Sequence, residues 1–494
     1  MSAVVDVFAQ LPVEVAKFDI RTVKADAQYP NLRKLFDTAL TISEIPAIKT
    51  LIGLLSLEKY SKKLFVNIHT SSDPSLNGKM VVFINALSDT LLENLAPSGF
   101  PRGFPILLND GQLTLHGFYP KFANDKREGS KKQVKTAKSQ KSSTSEFSSA
   151  QAVLDIKASG SLLGFTFFKT TNADGKCVMR MLTTSKKSMD NAYTQSFEKH
   201  ILTTLNKRGF SIEKLAERME GEKLTLWGEW LWSEDKTHGY VTTKDLYLPH
   251  ALGSCIVPAE KQATNFMSWK TKPELQKFCS EYGFDFFPEF RITGTKYIPE
   301  FFAELSQPAK RNLMDYRLFI AIWRKFAKQY PENFTEIPGS FDHERDISSV
   351  LEGLIVELDD GRRIKFKFNR YLIATLGFRT LFSELQTKFE YVLGSSLTNE
   401  QIEYVKNFAT KYNESWVIAD QTSDETFRTV FMTFATQADT MYNRYIQSGE
   451  TASFHIWLRD KLFPSAQIAL EETTVCVPVQ DFENVSAAAA ATTS

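Results

Sequence analysis

Three Asx-Gly turns, each between two runs of alternating apolar residues, constrain the fold of this chain more than any other feature. This dipeptide favours the backbone of a tight hairpin turn, so each occurrence predicts a pair of antiparallel strands. Up to about residue 372 we therefore expect antiparallel sheets with flanking helices, which is an α+β fold. The three dipeptides are Asp110-Gly111, Asp174-Gly175 and Asp360-Gly361.

Beyond residue 372 the pattern changes to helices. Thr398–Gln401 and Thr422–Glu425 are capping-box patterns, which mark helix starts. The second pattern opens a stretch that we expect to end near Gln447 and to pack in a core. Its apolar residues at helical spacing are Phe427, Val430, Phe431 and Phe434.

These patterns predict a division of the chain into segments. Apolar runs at 64–69 and 80–84 predict two further strands of the first domain. A basic, low-complexity stretch predicts a solvated loop, with an electrostatic grip on RNA phosphates as the alternative. The predicted segments are an α+β domain over 1–372, the loop at 121–149, an all-helical C-terminal domain over 373–485 and a disordered tail over 486–494.

Composition and absent motifs exclude several classes of protein. The formal net charge is +1, so a nucleic-acid surface would have to come from the local placement of charge. The four cysteines form no CxxC pair, which argues against a zinc site and fits a reducing compartment. The sequence has no P-loop, HExxH or GxSxG motif. It has no secretory signal and no apolar run of about 18–20 residues, so we expect no membrane association and a cytoplasmic location, with a nuclear one left open.

One hairpin strand carries an unusual charge pattern. Because side chains alternate along a strand, Lys365 and Lys367 point to the same face, and Glu352 lies on the other strand of the hairpin. Two lysines on an apolar strand suit the binding of an anion such as a phosphate. An amine attacks only when it is neutral, and neighbouring cations favour the neutral form. We therefore interpret Lys157 as a nucleophile, with Lys365 and Lys367 beside it and Glu352 bringing a divalent metal.

Seven elements in order resemble those of the covalent nucleotidyltransferases. Among them, the chain looks like RNA ligases of the bacteriophage RNA ligase 1 type and the ligase module of fungal tRNA ligases. The resemblance covers roughly residues 100–372. The elements are Pro101-Arg102-Gly103-Phe104, Gly117–Asn124 with Lys121 and Phe122, Lys157-Ala-Ser-Gly160, Thr184-Ser185-Lys186-Lys187-Ser188, Leu226–Trp232 with Glu229, Leu351-Glu352-Gly353, and Lys365-Phe-Lys367-x-x-x-Tyr371.

The resemblance implies a fold, a reaction and a set of site residues. The fold would be an ATP-grasp-like nucleotidyltransferase domain followed by the helical domain. The reaction would join a 5′-phosphate RNA end to a 3′-hydroxyl end through a lysyl-AMP, with ATP and Mg²⁺ as cofactors. Lys157, Glu352, Lys365 and Lys367 would be catalytic, with Glu352 on the metal. The residues that would bind the nucleotide are Arg102, Lys121, Phe122, Gly160, Ser185, Lys186, Glu229 and Tyr371.

The chain departs from the family pattern at three points, and alternatives follow from them. Ser159 replaces the usual Asp or Asn, Ala123 replaces an aromatic residue, and Lys157 is unusually far from Lys365, which predicts an insertion within 241–350. The alternatives are an inactive RNA-binding or scaffold protein, a DNA ligase and a capping guanylyltransferase. The partner would be RNA, possibly a tRNA, in RNA repair or tRNA splicing. A separate end-healing kinase or phosphatase would prepare the ends.

Overall fold

The structure of the protein is a computed structural model. It describes the elements named below and the segments that join most of them. The described residues are 64–70, 80–86, 104–109, 112–115, 123–124, 149–172, 174–186, 188–189, 191–235, 245–255, 267–287, 289–307, 314, 316–337, 351–359, 363–368, 371–416, 425–450 and 453–462.

The chain divides into two compact units, each built from several stretches of sequence. Unit 1 comprises 1–123, 159–234 and 242–287, and unit 2 comprises 124–158, 235–241 and 288–494. Both units contain antiparallel sheets and helices, so the predicted α+β class is confirmed. The predicted domain boundary at residue 372 stays a prediction. Among the described helices, none combines the length and the apolarity needed to cross a membrane.

Unit 1 contains a four-stranded sheet in the order β1-β2-β3-β4. All three neighbouring pairs are antiparallel. The strands predicted at 64–69 and 80–84 are confirmed, as is the hairpin around Asp110-Gly111, although those two turn residues lie outside the described part. The strands are β1 (Leu64–Thr70), β2 (Met80–Ala86), β3 (Phe104–Asn109) and β4 (Gln112–Leu115).

Unit 1 also contains a five-stranded sheet in the order β11-β10-β9-β7-β8. The predicted hairpin at Asp174-Gly175 joins β7 to β8, and Gly175 has φ +74°, a left-handed conformation that favours glycine. The strands are β7 (Ser161–Thr171), β8 (Cys177–Ser185), β9 (Leu224–Leu231), β10 (Leu246–Cys255) and β11 (Met267–Trp269).

Three helices bury one face of that five-stranded sheet. They are α1 (Ala192–Lys207), α2 (Ile212–Gly221) and α3 (Lys272–Tyr282). Helix α1 begins with a capping box: the Asn191 side chain accepts from the Thr194 N–H at 3.0 Å, and Thr194 Oγ1 accepts from the Asn191 N–H at 3.0 Å. Their apolar faces meet the sheet in one core that includes Phe165, Phe197 and Phe278.

Unit 2 contains a second five-stranded sheet, in the order β12-β6-β13-β14-β5. The pairs β12–β6, β6–β13 and β13–β14 are antiparallel. The predicted hairpin around Asp360-Gly361 joins β13 to β14, and those two residues lie outside the described part. The strands are β5 (Ala123–Asn124), β6 (Gln151–Ala158), β12 (Phe290–Thr293), β13 (Leu351–Leu358) and β14 (Arg363–Lys367).

An aromatic core covers one face of the unit 2 sheet. Helices α4 (Tyr297–Ser306) and α5 (Tyr316–Gln329) pack there. The Phe290 ring lies 5.0 Å from that of Trp323, and the Phe302 ring lies 5.3 Å from that of Phe366, both measured between centroids. Such edge and tilted contacts add to the free energy gained by burying the rings. The other face of the sheet is left for polar side chains.

The region predicted to hold an insertion contributes three strands to the two five-stranded sheets. Strands β10 and β11 complete the sheet of unit 1, and β12 forms one edge of the sheet of unit 2. The described part of 241–350 therefore supplies sheet strands and the helices α3, α4 and α5. Its role in function stays open.

The described elements after residue 371 are helices. A π-helix (Leu372–Phe378), in which the Arg379 N–H donates to the Ala374 carbonyl five residues earlier, leads into the others. Buried residues of these helices form one cluster, in which the predicted core positions Val430, Phe431 and Phe434 are confirmed. The α-helices are α6 (Arg379–Phe389), α7 (Asn399–Trp416), α8 (Glu425–Gln447) and α9 (Phe454–Leu462).

Two of the predicted helix boundaries can be checked. The Thr398 capping box is confirmed, because the Thr398 N–H donates to Gln401 Oε1 at 2.9 Å and the Gln401 N–H donates to Thr398 Oγ1 at 3.3 Å. Helix α8 ends at Gln447, as predicted. Residues 422–424, the Phe427 side chain and the tail at 486–494 lie outside the described part. Whether these helices form a domain of their own stays a prediction.

A β-bulge in β13 brings two backbones unusually close. Leu351 pairs with Ala158 and Gly353 with Lys157, so Glu352 is the extra residue of the bulge. A Cβ atom on Gly353 would lie 2.1 Å from the Phe366 carbonyl oxygen and 2.7 Å from the Lys367 Cα. Both are backbone atoms of the neighbouring strand and cannot rotate away. Only glycine therefore fits at position 353.

Gly353→Ala should destabilise the protein by about 1–3 kcal/mol, because β13 and β14 would have to separate. Gly221→Ala is the control, since a Cβ there meets nothing within 4 Å, and its cost should stay within about 1 kcal/mol. Urea unfolding followed by circular dichroism measures both. Equal unfolding midpoints for the two variants would contradict the close approach at Gly353.

Candidate active site

Three strands of unit 2 bring the predicted nucleophile beside the predicted lysine motif. Gly353 pairs with Lys157 of β6 on one side and with Lys367 of β14 on the other, so the three residues form one row across the sheet. Residues paired across antiparallel strands point to the same face. The neighbours Ile156 and Phe366 point the other way and are fully buried in the aromatic core. Lys157 and Lys367 therefore share the polar face, and Gly353, which stands in the row between them, has no side chain.

Glu352, the bulge residue, places its carboxylate between these two lysines. Its Oε2 lies 2.5 Å from Lys157 Nζ, and its Oε1 lies 3.1 Å from Lys367 Nζ. The exposed fractions of the side chains are 14% for each lysine and 8% for Glu352. The contacts are thus largely shielded from water and are much stronger than surface ion pairs. We call Lys157, Glu352 and Lys367 the charged triad.

The charged triad controls the ionisation of Glu352. Burial alone would raise the pKa of this carboxyl group, but the charges of Lys157 and Lys367 and their hydrogen bonds hold it below its usual value. Glu352 is therefore a carboxylate at neutral pH. Because each of its oxygens contacts one ammonium group, it holds both lysines at fixed positions.

Lys365 lies on the same face, one row along the sheet. It pairs with Ile355 of β13, which in turn pairs with Asp155 of β6. Lys365 is only 7% exposed. In the next row Arg363 and Glu357 form an ion pair at 2.7 Å. Around the charged triad the cations therefore outnumber the anions, and this balance suits an anionic ligand.

Asp155 was missed by the sequence reasoning. It stands two residues before Lys157 on β6, so strand alternation places both on the polar face. That alternation was the signal that could have found it. Its row position beside Ile355 and Lys365 adds a third carboxylate to this face, after Glu352 and Glu357.

Tyr371 is buried directly after the lysine motif. Lys367 Nζ lies 5.4 Å from the centroid of the Tyr371 ring, which is the geometry of a cation–π contact. The ring thus contacts the same ammonium group that Glu352 binds. Of the predicted site residues, unit 2 brings together Lys157, Glu352, Lys365, Lys367 and Tyr371.

Four other predicted site residues lie in unit 1. Gly160 precedes β7, where a Cβ would lie 2.7 Å from the Trp230 carbonyl oxygen, so glycine is required. Ser185 ends β8, and its hydroxyl donates to the Ser188 carbonyl at 3.0 Å and accepts from the Ser188 N–H at 3.1 Å. Through those bonds Ser185 stabilises the turn before α1.

Glu229 lies on the unit 1 sheet, where it pairs with Leu162 of β7. Lys186 directly follows Ser185, the last residue of β8. The predicted nucleotide-binding roles of these residues stay predictions.

The remaining predicted residues cannot be placed. Arg102, Lys121 and Phe122 lie outside the described residues, as does most of the basic stretch at 121–149. Of that stretch, Ser149 is described: its hydroxyl donates to Asp359 Oδ1 at 2.5 Å, and the Ala150 N–H donates to Asp359 Oδ2 at 2.8 Å. These bonds attach the start of β6 to the end of β13.

The donor atoms near the charged triad can be tested against the predicted cofactors. Mg²⁺ needs about six oxygen ligands, usually one or two carboxylates with phosphate and water. Among the described residues no group of three or more His, Cys, Asp or Glu could hold a metal ion, and both oxygens of Glu352 contact lysines. The described residues thus offer no metal site made of protein ligands alone, and the predicted place of Glu352 on the metal stays a prediction. A polyphosphate fits better, because Lys157, Lys365 and Lys367 share one face.

Comparison with known proteins gave structural neighbours only. No protein-family model and no curated protein matches this chain. An archaeal ATP-dependent RNA ligase (form 1) is 12% identical, with a TM-score of 0.38, over 78% of this chain and 77% of that one. A putative ATP-dependent DNA ligase from Aquifex aeolicus is 10% identical, with a TM-score of 0.35, over 79% and 73%. The Naegleria gruberi RNA ligase with PPi is 11% identical, with a TM-score of 0.26, over 52% and 64%.

Because the TM-scores of these neighbours are all below 0.5, the function proposed below rests on the site geometry and on the order of the motifs.

Glu352→Gln should destabilise the protein at neutral pH by up to about 3–5 kcal/mol, because two buried ammonium groups lose their counter-charge. The pKa of Glu352 is lowered by folding, so its contribution is complete above about pH 4.5 and is lost as the pH falls through the lowered value. The difference between wild type and variant should therefore shrink in acid. Urea unfolding at several pH values measures it.

Glu403→Gln is the control for that experiment, since Glu403 and its partner Lys406 are 60% and 46% exposed. Its effect should stay below about 1 kcal/mol at every pH. A constant difference between wild type and Glu352→Gln down to about pH 2 would contradict the lowered pKa of Glu352.

Proposed function

We propose that this protein is an ATP-dependent RNA ligase that joins 5′-phosphate and 3′-hydroxyl ends, with Lys157 as the nucleophile. The observation that best supports the proposal is the charged triad itself. Lys157 lies on β6, far in sequence from the β13–β14 hairpin that carries Glu352 and Lys367, yet the three meet within ion-pair distance on one sheet face. They are also the residues that the family motifs select. Positional agreement of this kind is not expected of three ordinary surface charges.

In the first step Lys157 Nζ attacks the α-phosphorus of ATP. A nitrogen–phosphorus bond forms, the bond to the bridging oxygen of pyrophosphate breaks, and a lysyl-AMP results. Nζ must lose its proton to solvent water before the attack, since only the neutral amine has a free electron pair. Because Nζ lies 2.5 Å from Glu352 Oε2, this ion pair has to open first. Phosphate oxygens that bind Lys365 and Lys367 would compete with Glu352 and favour that opening.

In the later steps AMP passes from Lys157 to the RNA 5′-phosphate, and the RNA 3′-hydroxyl then displaces AMP. Each step is a phosphoryl transfer, in which positioning and neutralisation of charge do most of the catalysis. Lys365 and Lys367 would hold phosphate oxygens, above all those of the triphosphate in the first step. Mg²⁺ remains a proposed cofactor, which Glu352 would bind together with phosphate oxygens and water.

Except for Tyr371, which is considered below, the residues predicted to bind the nucleotide keep that role in the proposal. The helices after residue 372 would recognise the RNA end. RNA repair and tRNA splicing are both compatible with this chemistry, and a separate end-healing kinase or phosphatase would act first. The nucleotide-binding residues are Arg102, Lys121, Phe122, Gly160, Ser185, Lys186 and Glu229.

Two rival functions make different predictions. A DNA ligase or a capping guanylyltransferase usually has a β-barrel after the lysine motif, whereas the described elements after Tyr371 are helices. An inactive scaffold protein would have no reason to keep the charged triad. Transfer of AMP to 5′-phosphorylated RNA, to DNA of the same sequence, or to neither separates these functions. Labelling by GTP in place of ATP would indicate a capping enzyme.

Lys157→Arg should abolish self-adenylylation, because arginine keeps its proton at every accessible pH and cannot attack. The measurement is transfer of radiolabel from the α-phosphate of ATP to the purified protein. Lys169→Arg is the matched control: Lys169 is an exposed strand lysine paired with Glu220, and this variant should label like wild type. A labelled Lys157→Arg protein would refute the assignment of the nucleophile.

Lys365→Ala should slow self-adenylylation roughly 10–100-fold, the scale expected for the loss of one charge-assisted hydrogen bond to phosphate. Joining of pre-adenylylated RNA should be affected less, because the triphosphate is bound only in the first step. Rates of the two half-reactions measure this. Lys325→Ala, on an exposed helix position, is the control. Equal losses in both half-reactions would mean that Lys365 does not act on the triphosphate.

A further inference from the structure

The backbone around Tyr371 is tied to the charged triad. The Phe368 N–H donates to the Glu352 carbonyl at 3.1 Å, and the Leu372 N–H donates to the Phe368 carbonyl at 3.1 Å. The first bond extends the pairing of β13 and β14 beyond Lys367. The second starts the helical turn that carries Tyr371. Through these two bonds, Glu352 helps to position the backbone segment that contains Tyr371.

The ring of Tyr371 is held rigidly. Its own side chain is 8% exposed, and the three residues after it, Leu372, Ile373 and Ala374, are buried at the start of the π-helix. These residues belong to a packed region, so the ring cannot move without disturbing it. A ring fixed in this way offers a pre-organised face to whatever it contacts.

That face contacts the Lys367 ammonium group. The lysine side chain is flexible, and holding its charged end at one point costs conformational entropy. Here two fixed groups hold it: Glu352 Oε1 at 3.1 Å, and the Tyr371 ring with its centroid at 5.4 Å. A cation–π contact is stronger when water is largely excluded, as it is for these two side chains. The ring face that contacts Lys367 is not free to stack on a nucleotide base.

We propose that Tyr371 is a positioning residue that acts through Lys367, in place of a direct contact with the nucleotide. This inference rests on the proposed function in one respect, namely that Lys367 binds phosphate. Tyr371 keeps the ammonium group in place when a phosphate displaces Glu352 from it. The aromatic ring is the essential part of the side chain for this task, and the hydroxyl group is not required.

The test combines four variants of the full-length chain: Tyr371→Phe, Tyr371→Leu, Lys367→Met and the double variant Tyr371→Leu/Lys367→Met. The first readout is the KM for ATP in self-adenylylation, measured beside kcat. Tyr371→Phe should stay within about twofold of wild type, and Tyr371→Leu should raise KM roughly 3–30-fold, the range of a cation–π contact. The double variant should match Lys367→Met within about twofold, because in this proposal Tyr371 affects ATP binding only through the ammonium group.

A matched control comes from a second cation–π pair of unit 2, in which Lys388 Nζ lies 4.4 Å from the centroid of the Tyr404 ring. Tyr404→Leu removes a similar ring from an exposed lysine and should leave KM unchanged. Two results would overturn the proposal. One is an equal rise in KM for Tyr371→Phe and Tyr371→Leu, which would assign the effect to the hydroxyl group. The other is a rise in KM in the double variant that equals the product of the rises in the two single variants.

A second readout does not need catalysis. In urea unfolding, the effect of the double variant on the unfolding constant should be about 3–10-fold smaller than the product of the effects of Tyr371→Leu and Lys367→Met. The reason is that both substitutions remove the same contact. Strict additivity would overturn the proposal. If the wild-type protein takes no label from ATP, the proposed function fails, and the unfolding cycle still decides whether Tyr371 acts on Lys367.

Discussion

A single buried carboxylate, Glu352, holds the candidate site together. Burying a carboxylate without partners is expensive, so Glu352 is stable only because Lys157 and Lys367 approach its two oxygens. It can reach both because it is the extra residue of a β-bulge and leaves Gly353 to occupy the row between the two lysines. The close backbone approach at Gly353 is therefore part of the same arrangement. The Glu352 side chain thus links β6 to the β13–β14 hairpin, which lies far from β6 in sequence.

This arrangement has a chemical consequence. Two cations and one anion form a nearly neutral, pre-organised group, to which Lys365 adds a further positive charge on the same face. An incoming phosphate can replace the carboxylate at a lysine without bare charges being buried at any stage. Such exchange of one anion for another needs little reorganisation, which is what electrostatic catalysis requires. The same pairing holds Lys157 Nζ against the Glu352 carboxylate, so an anion has to compete with this contact to reach the amine.

Local signals in the sequence predicted the hairpins and the α8 end, because a turn or a cap depends on a few adjacent residues. The motif order predicted Lys157, Glu352 and Lys367 as a group. Three features could not be predicted. The bulge at Glu352 depends on the register between β6 and β13. The place of β12 beside β6 depends on pairing across more than a hundred residues. The contact of Tyr371 with Lys367 depends on the packing of the helices that follow β14. Each is decided by tertiary packing, which a single sequence does not display.

The two faces of β14 explain why the site can be this exact in its geometry. Alternate residues point in opposite directions, so Ile364 and Phe366 are buried on the core side of the sheet. Lys365 and Lys367 lie on its polar face. The Phe366 ring packs 5.3 Å from that of Phe302, and this packing fixes the strand. Rigid support from one face is what positions charged groups on the other. The core of unit 2 thus does more than stabilise the fold: it holds two flexible lysines within ångströms of the groups on which they act.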